Sequence, residues 1–517
     1  MRGISGIWRA LDRAREMNLE AAGLPPPVAG DSGLTRRRAL AAMAGAAGLA
    51  ACGDVVPMEQ NASRVIIVGG GLAGLAALDR LRRANVTATL YEARGAVGGR
   101  TRSVRGVFAP VFAFDEGAQL VNDDHADLKA MIRRYRLSMV DRTQYPQNEL
   151  QIGRDGTAVD DEKLAHALRG IAARISEDAG KVDDDPSYSA EIDGLSVKAY
   201  LDKGGLAPGD ARDALEAGIR TEYGSEPDEA SALELLWNLP KVDGQEVTRL
   251  STSDERYLIS GGTDQVAKAL GAEHVRDIRL NKRLTAVDIE ANRVRLTFAD
   301  GEKVTAERAI LAIPPTLLRE VRFSANLPPL WRAYIDEAKL GRNEKVIIGY
   351  DDSGWRPITG FGGAVWAAGP FSAIWEAASL VPAPGPAALC FFLGGRQVEA
   401  ARAVPSAQLA RNFSDIARRL LPGLPQPNGK IRRTRWCEDP LTRGAYSCFA
   451  PGQLTRFAPL LALEPEDGLV QVPQAGPLLF AGEHLSDEFP GFMNGALQTG
   501  RMAADAILAP AEMRKAA

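Results

Sequence analysis

The chain has 517 residues, of which 45% are hydrophobic and 25% charged, and a formal net charge of −4. That is enough for two or three domains with ordinary apolar cores. No apolar run reaches the roughly 20 residues that span a bilayer. No basic stripe marks a nucleic-acid surface. The four histidines (His125, His166, His274, His484) are scattered and read as surface or capping residues. The cysteines show no metal-ligand spacing, so no metal is expected; a Cys437–Cys448 disulfide is left open.

The first fifty residues differ from the rest. Arg36-Arg37-Arg38 precedes a weakly apolar Ala/Gly stretch, which ends in Leu49-Ala50-Ala51-Cys52. Paired arginines, a modest apolar region and a small-residue processing site predict an export signal over 1–51. The pattern resembles a twin-arginine leader, a route for proteins exported already folded, and its end resembles a lipoprotein box. That resemblance implies a periplasmic or otherwise extracytoplasmic protein. Lipidated at Cys52, it would be held at a membrane surface without a spanning helix. Arg36 lies unusually far from Met1 for such a leader. Residues 52–63 read as a tether.

The folded part opens with Val65-Ile66-Ile67-Val68, a β-branched run typical of a strand buried on both faces of a parallel sheet. Gly69-x-Gly71-x-x-Gly74 follows, then a helical stretch, 75–84, and a second strand, 87–91, closed by Glu92. Gly-rich turns are common, but one between a buried strand and a helix predicts a dinucleotide site. Gly69 permits the tight turn, Gly71 lets the backbone approach a pyrophosphate, and Gly74 lets helix and strand pack closely. The helix N-terminus attracts the phosphates, and Glu92 suits the adenosine ribose hydroxyls. NAD and FAD both fit this unit.

Farther along, 136–250 reads mainly as helices, with an acidic loop around Asp183, Asp184 and Asp185. Alternation at 287–290 and 294–298 predicts a hairpin. Ala309 to Ile313 reads as a buried strand stopped by Pro314-Pro315. Leu478-Leu479-Phe480 is a last strand before a terminal helix reaching about Leu508.

Glu92-Ala93-Arg94-Gly95-Ala96-Val97-Gly98-Gly99-Arg100 resembles the second flavin-contact motif of the amine oxidase and phytoene desaturase superfamily. No second GxGxxG appears; Gly360-Phe361-Gly362-Gly363 lacks the third glycine, which counts against a reductase that also docks NADPH. Phe114 to Gln119, Tyr257 to Gly262, Ala312 to Leu317, Trp436-Cys437-Glu438, Ala481-Gly482-Glu483 and Gly491 to Ala496 extend the match in order. From residue 64 to about 508 the chain resembles the flavin-containing amine oxidases: monoamine, polyamine and L-amino acid oxidases.

The resemblance implies an α/β protein, a Rossmann-like FAD domain interleaved with an α+β substrate domain. The flavin parts would be 64–135, 251–318 and 433–512; the substrate parts, 136–250 and 319–432. Cofactor contacts would come from Gly69, Gly71, Gly74, Glu92, Arg94, Gly98, Gly99, Arg100, Leu284 (backbone to adenine) and Trp436. Glu483 would meet the ribityl chain, and the Met493 N–H would meet flavin N1 and O2. Ala445 stands where some monoamine oxidases carry a flavin-tethering Cys, which implies non-covalent FAD. Tyr446 and Phe492 fall where the family places two rings before the flavin, and Lys345 where a lysine holds a water near N5. The L-amino acid oxidases carry an Arg near Gly117-Ala118-Gln119-Leu120; its absence favours a simple amine, although Arg133 or Arg220 remains available.

The expected reaction is oxidative deamination of an amine, with a hydride passing to flavin N5 and O2 as acceptor. Its products would be an imine or aldehyde, ammonia and H2O2. An L-amino acid oxidase giving a 2-oxo acid, a desaturase, and an exported electron-transfer or binding flavoprotein stay open as alternatives. The partners are then a small amine or amino acid and O2, with no nucleic acid; a homodimer is left open.

Overall fold

The computed structural model describes residues 5–26, 28–29, 65–110, 112–144, 151–154, 156–237, 240–243, 246–249, 253–290, 292–324, 327–356, 365–377, 385–464 and 470–509. Arg36 to Arg38, Cys52, the 52–63 tether and the Gly360 to Gly363 turn lie outside them.

Strand β1 (Val65–Val68) is buried at every position because it has parallel neighbours on both sides, β2 (Ala88–Tyr91) and β3 (Arg308–Leu311). Beyond β3 lies β6 (Leu478–Phe480), also parallel, and the antiparallel edge strand Gln474–Ala475; Ile278–Arg279 closes the other edge. This six-stranded sheet therefore draws on three distant stretches of chain. Helix α2 (Leu72–Arg83) leaves the Gly-rich turn and packs against the last helix, α5 (Met493–Leu508). A Cβ on Gly500 would lie 2.1 Å from the Ala73 carbonyl oxygen, so that close approach requires glycine.

A second sheet has seven strands. Its order is Ile431–Arg433, β4 (Asn343–Tyr350), β5 (Ala387–Gly394), Ala373–Glu376, Val365–Ala368, Gln151–Arg154 and Thr157–Ala158. β4 and β5 pair antiparallel along their whole length with every residue buried, as strands covered on both faces must be. Helices α3 (Asp161–Asp184) and α4 (Asp210–Tyr223) lie in sequence between the sheet's strands Thr157–Ala158 and β4.

Three features depart from the sequence expectations. The acidic stretch is helix rather than loop: α3 runs through Asp184, and Asp185 caps the next helix, Pro186–Asp193, by accepting from Ser187 N (2.8 Å) and Tyr188 N (3.2 Å). An Asp before a proline at the first helical position serves as an N-cap, which charge counting alone does not reveal. The mainly helical region also contributes strands Gln151–Arg154 and Thr157–Ala158 to the second sheet.

The third is helix α1 (Ser5–Ala21), which lies within the span read as a leader. Ile7, Ala10, Leu11 and Ala14 recur at helical spacing and are at most 3% exposed. They share one core with Leu164, Ala165, Leu168 and Ala172 of α3. Polar contacts fix the register: Asn18 Nδ2 donates to the Arg169 carbonyl (2.9 Å), Arg169 Nε donates back to Asn18 Oδ1 (2.8 Å), and Arg15 Nε donates to Ser176 Oγ (3.1 Å). Leu11→Ala should therefore cost about 2–5 kcal/mol, as a buried leucine does, and lower the thermal midpoint of the full-length protein. An unchanged midpoint would show that α1 is not docked.

Candidate active site

The Gly-rich turn is shaped by contacts on two glycines and by free space on a third. Gly69 has φ +110°, and a Cβ there would lie 2.2 Å from the Ala312 carbonyl oxygen. One on Gly74 would lie 1.9 Å from the Gly69 carbonyl oxygen. A Cβ on Gly71 would meet no protein atom within 4 Å, so that face of the turn is open where a pyrophosphate needs close backbone approach. Glu92, 8% exposed, accepts from Gly70 N (2.6 Å) and Arg94 N (2.7 Å). Burial raises its carboxyl above the ordinary range against the pull of those N–H donors.

The second motif folds over the first: Gly98 N donates to the Gly70 carbonyl (2.8 Å), and Gly99 (φ +57°) sits against Gly71. The Arg94 guanidinium is committed to Asp439 (2.8 Å) and Thr442 (3.0 Å), so it clamps the third flavin segment to the first. Leu284 begins a strand just after Lys282, whose N–H donates to the Glu92 carbonyl (2.8 Å), so it lies near the end of β2. Trp436 is buried, with its indole N–H on the Glu116 carbonyl (3.0 Å) and the Arg102 guanidinium 4.4 Å above its ring.

Arg100 and Glu483, far apart in sequence, form an ion pair of 2.6 Å. Arg100 also donates to the Ala445 carbonyl (2.7 Å). The other Glu483 oxygen accepts from Gly491 N (2.6 Å) and Ser447 Oγ (2.9 Å). Burial would raise the Glu483 pKa; the Arg100 charge and these donors outweigh it and hold the group below the ordinary range. Ser447 N adds a longer contact to that second oxygen (3.4 Å), so four donors address the carboxylate, with Arg100 alone on the first oxygen. Gly491 and Phe492 then lead into α5, whose N-terminus carries no side-chain cap, leaving the first-turn N–H groups, Met493 first, for an anionic partner.

Tyr446 lies beside the residue that precedes Phe492. A Cβ on Gly491 would lie 3.7 Å from the Tyr446 ring, and the Tyr446 hydroxyl donates to the Thr221 carbonyl of α4. Phe492 is backed by His125, 5.2 Å between ring centroids. His125 is fully buried, its Nδ1 accepts from Asn122 N (3.1 Å), and burial depresses it to about 3, so it packs as a neutral ring. It precedes helix Ala126–Arg134, which matches a capping position, but its contact with Phe492 has no signature in the sequence. His274 and His484 are likewise buried rather than superficial.

Lys345 lies on β4, 7% exposed, with Nζ donating to the carbonyls of Asp115 (2.9 Å) and Gly117 (2.7 Å). Its third direction faces Gln119 Oε1 at 3.4 Å, and burial lowers its pKa. The two arginines held in reserve for a carboxylate are otherwise engaged or remote: Arg220 pairs with Glu226 (3.0 Å) and Glu216 (3.4 Å), and Arg133 is exposed. Asp79, Glu273 and His274 gather as metal ligands would. Arg134 bonds both carboxylates and His274 bonds Asp79, so the group is an ion-pair network joining helices. Cys390, Cys437 and Cys448 are free thiols.

The open Gly71 face, the buried Glu92 carboxylate and the uncapped α5 N-terminus fit FAD, and the fold with this site defines a two-domain flavoprotein oxidoreductase. Residues 72–508 match the family model described as flavin containing amine oxidoreductase. The chain belongs to that family, whose members are flavin-dependent oxidoreductases acting on amines. It is 24% identical over 484 residues to an amine oxidase [flavin-containing] of Danio rerio, covering 87% of each chain. It is 23% identical to amine oxidase [flavin-containing] B of Homo sapiens, covering 87% of this chain and 86% of that one. In fold it is similar to putrescine oxidase bound to putrescine (TM-score 0.71, 21% identity, 87% of this chain and 99% of that one). Cyclohexylamine oxidase from Brevibacterium oxydans IH-35A is equally similar (TM-score 0.71, 21%, 87% and 99%).

The glycine geometry separates two variants. Gly71→Val should fold with a near-parental thermal midpoint for the flavin-free protein yet retain at most about a tenth of the flavin, because its side chain occupies the phosphate face. Gly74→Ala should instead lower the yield of folded protein, since nothing can relieve a contact with the Gly69 carbonyl. Absorbance at the flavin band relative to protein, measured beside thermal unfolding, checks both.

Proposed function

We propose that the protein is an FAD-dependent amine oxidase that deaminates a primary or secondary amine, holds its flavin non-covalently and uses O2. The observation that carries this reading is the junction at Gly491, whose N–H reaches Glu483, whose Cα adjoins Tyr446, and which precedes Phe492 and the uncapped helix. FAD, which Gly69, Gly71, Gly74, Glu92, Arg100 and Glu483 would hold, would supply a hydride acceptor for the amine α-carbon and a route for the electrons to O2. The products are an imine that hydrolyses to an aldehyde and ammonia, and H2O2.

The chain supplies position and field. Tyr446 and Phe492 offer π-faces that receive the neutral amine and exclude water. The α5 N-terminus stabilises negative charge at N1 and O2. Lys345 would turn the N–H of its longest contact, 3.4 Å to Gln119 Oε1, to a water against the flavin and so assist reaction with oxygen. Arg100 and Glu483 hold the cofactor's phosphate and ribityl region in register with the rings. Ala445 has no nucleophile to offer the flavin, and its amide N–H bonds the Gly341 carbonyl (2.8 Å). Export as a folded, FAD-loaded protein fits the Arg36-Arg37-Arg38 leader and keeps α1 docked during transfer.

Acid precipitation of the purified protein should release all flavin into the supernatant; yellow pellet would overturn the non-covalent assignment. A panel of amines against their matching α-amino acids should give stoichiometric H2O2 and ammonia from the amines, and a 2-oxo acid instead would make it an L-amino acid oxidase. Lys345→Met should slow the oxygen-dependent half-reaction about 100-fold and leave the amine-dependent half-reaction within a few-fold. Intact mass of the protein recovered from its own cells tests export: an acylated 52–517 chain supports lipidation, and retention of residues 1–51 rules it out.

A further inference from the structure

Side chains from three parts of the chain meet at one oxygen atom. Lys345 of β4 and Trp375 of the strand Ala373–Glu376 lie on the same face of the second sheet. The register sets this: Lys345 pairs with Phe392, Phe392 with Ala373, and Trp375, two residues beyond Ala373, with Cys390. The Lys345 ammonium is 5.8 Å from the centre of the Trp375 ring, which packs on Phe392 with 5.0 Å between centroids. Gln119 reaches them from the first flavin segment. Its Oε1 accepts from Trp375 Nε1 (3.2 Å) and from Lys345 Nζ (3.4 Å). Two donors facing one end of the carboxamide fix which end is oxygen.

The three N–H groups of Lys345 are unequal. Two are held by the Asp115 and Gly117 carbonyls at 2.9 and 2.7 Å, and the third meets Gln119 only at 3.4 Å. No carboxylate pairs with this ammonium among the described residues: the Asp115 side chain is bonded by Ser103 and Thr263, and that of Glu116 by Arg102 and Arg432. A carboxylate in place of Gln119 would draw the third N–H into a charge-assisted bond of about 2.7–2.9 Å and keep it there. A neutral carboxamide already engaged by an indole N–H holds it more weakly. The Trp375 N–H has no other acceptor among the described residues, so it keeps Oε1 turned towards both donors. Gln119 and Trp375 are half-buried, whereas Lys345 is buried.

We infer that Gln119 and Trp375 are positioning residues for Lys345: Trp375 shares the Gln119 oxygen, so that the third Lys345 N–H stays loosely held and free to turn to a water. This rests on the reading above, in which Lys345 assists the oxygen-dependent half-reaction, and adds what keeps that N–H available. O2 takes up two electrons from the reduced cofactor and two protons to become H2O2. Negative charge therefore develops on oxygen, and an ammonium N–H aimed at it, directly or through a water, stabilises that charge. Tightening the bond to Gln119 withdraws the N–H from this task and leaves the oxidation of the amine alone.

The test uses holoenzyme reduced with dithionite and then mixed with O2, which requires no knowledge of the amine. Trp375→Phe, which leaves Gln119 Oε1 wholly to Lys345, should slow reoxidation at least about 3-fold, and Gln119→Glu at least about 10-fold. In a Lys345→Met background neither substitution should slow it by more than about a further 2-fold, because the N–H they act on is gone. Apart from turnover, the indole N–H proton resonance of Trp375, identified by its loss in Trp375→Phe, reports the shared bond in resting holoenzyme. It should move upfield in Gln119→Leu, which removes the acceptor, and downfield in Lys345→Met, which removes the competitor. A resonance unmoved in either variant, or reoxidation at the parental rate in Trp375→Phe or Gln119→Glu, overturns this inference and leaves the amine-oxidase reading intact. Equal slowing with and without Lys345 also overturns it, since a merely structural role gives that result. Parental reoxidation in Lys345→Met overturns the role given to Lys345 and this inference with it. Should Gln119→Glu lose its flavin, Trp375→Phe and the indole resonance still decide.

Discussion

The ion pair between half-buried Arg100 and buried Glu483 is the constraint on which the site depends. Arg100 belongs to the first flavin segment and Glu483 to the last, and each is engaged on more than one side. Buried charges tolerate this only when every direction is satisfied. Here Ala445 O, Ser447 Oγ and Gly491 N supply the remaining bonds. The consequence reaches beyond electrostatics. Gly491 can meet Glu483 only if the turn before α5 lies in one place. That in turn fixes the first N–H groups of α5, the ring of Phe492 and the wall beside Tyr446. The cofactor surface and the substrate surface are therefore positioned by one set of bonds.

The same economy explains why three chain segments build one sheet. A flavin needs a phosphate turn, an adenosine edge and a charged surface for its ring, and these lie on different strands. In the proposed reading Gly69 to Gly74 would give the first, the Lys282 to Leu284 stretch bonded to Glu92 the second, and the junction after β6 the third. Arg94 and Asp439 add a second clamp between first and last segments. The intervening segments form a separate sheet that reaches the flavin side through side chains such as Lys345, Trp375 and Arg432.

Much of this was legible in the sequence wherever local sterics dictate it. Val65 to Val68 could only be an interior parallel strand, and Gly69, Gly71 and Gly74 carry distinct steric demands at fixed spacing. Glu92 follows from the strand end. Other features were legible only through likeness to a family: nothing local joins Tyr446 to Phe492, because Gly491 and Glu483 make the contact across tens of residues. What could not be read at all was tertiary. His125 looks like a helix cap and is one by position, but its backing of Phe492 arises from the docking of Ala126–Arg134 on α5. Asp183 to Asp185 looked like a solvated loop because three charges in a row outweigh a helical pattern, whereas an N-cap before Pro186 uses one of them structurally.

The N-terminal helix shows how two sound local readings meet in one span. Arg36 to Cys52 carries the marks of a leader, yet Ile7, Leu11 and Ala14 have the spacing of a core face and find one on α3. The two readings use different residues, so the docking of α1 leaves the leader at Arg36 to Cys52 an expectation. Secretory leaders are recognised as short apolar runs near a chain start, whereas α1 is amphipathic, with Arg13 and Arg15 bonded to acceptors on α3. An amphipathic helix with a matched partner face is stabilised by docking, not by insertion into a membrane. The physical distinction therefore lies at Cys52 rather than at Arg36. Cleavage there would convert α1 from a tethered element, with high effective concentration at α3, into a separate peptide held only by its own contacts. The substrate domain would then stay intact only as far as those contacts persist without the tether.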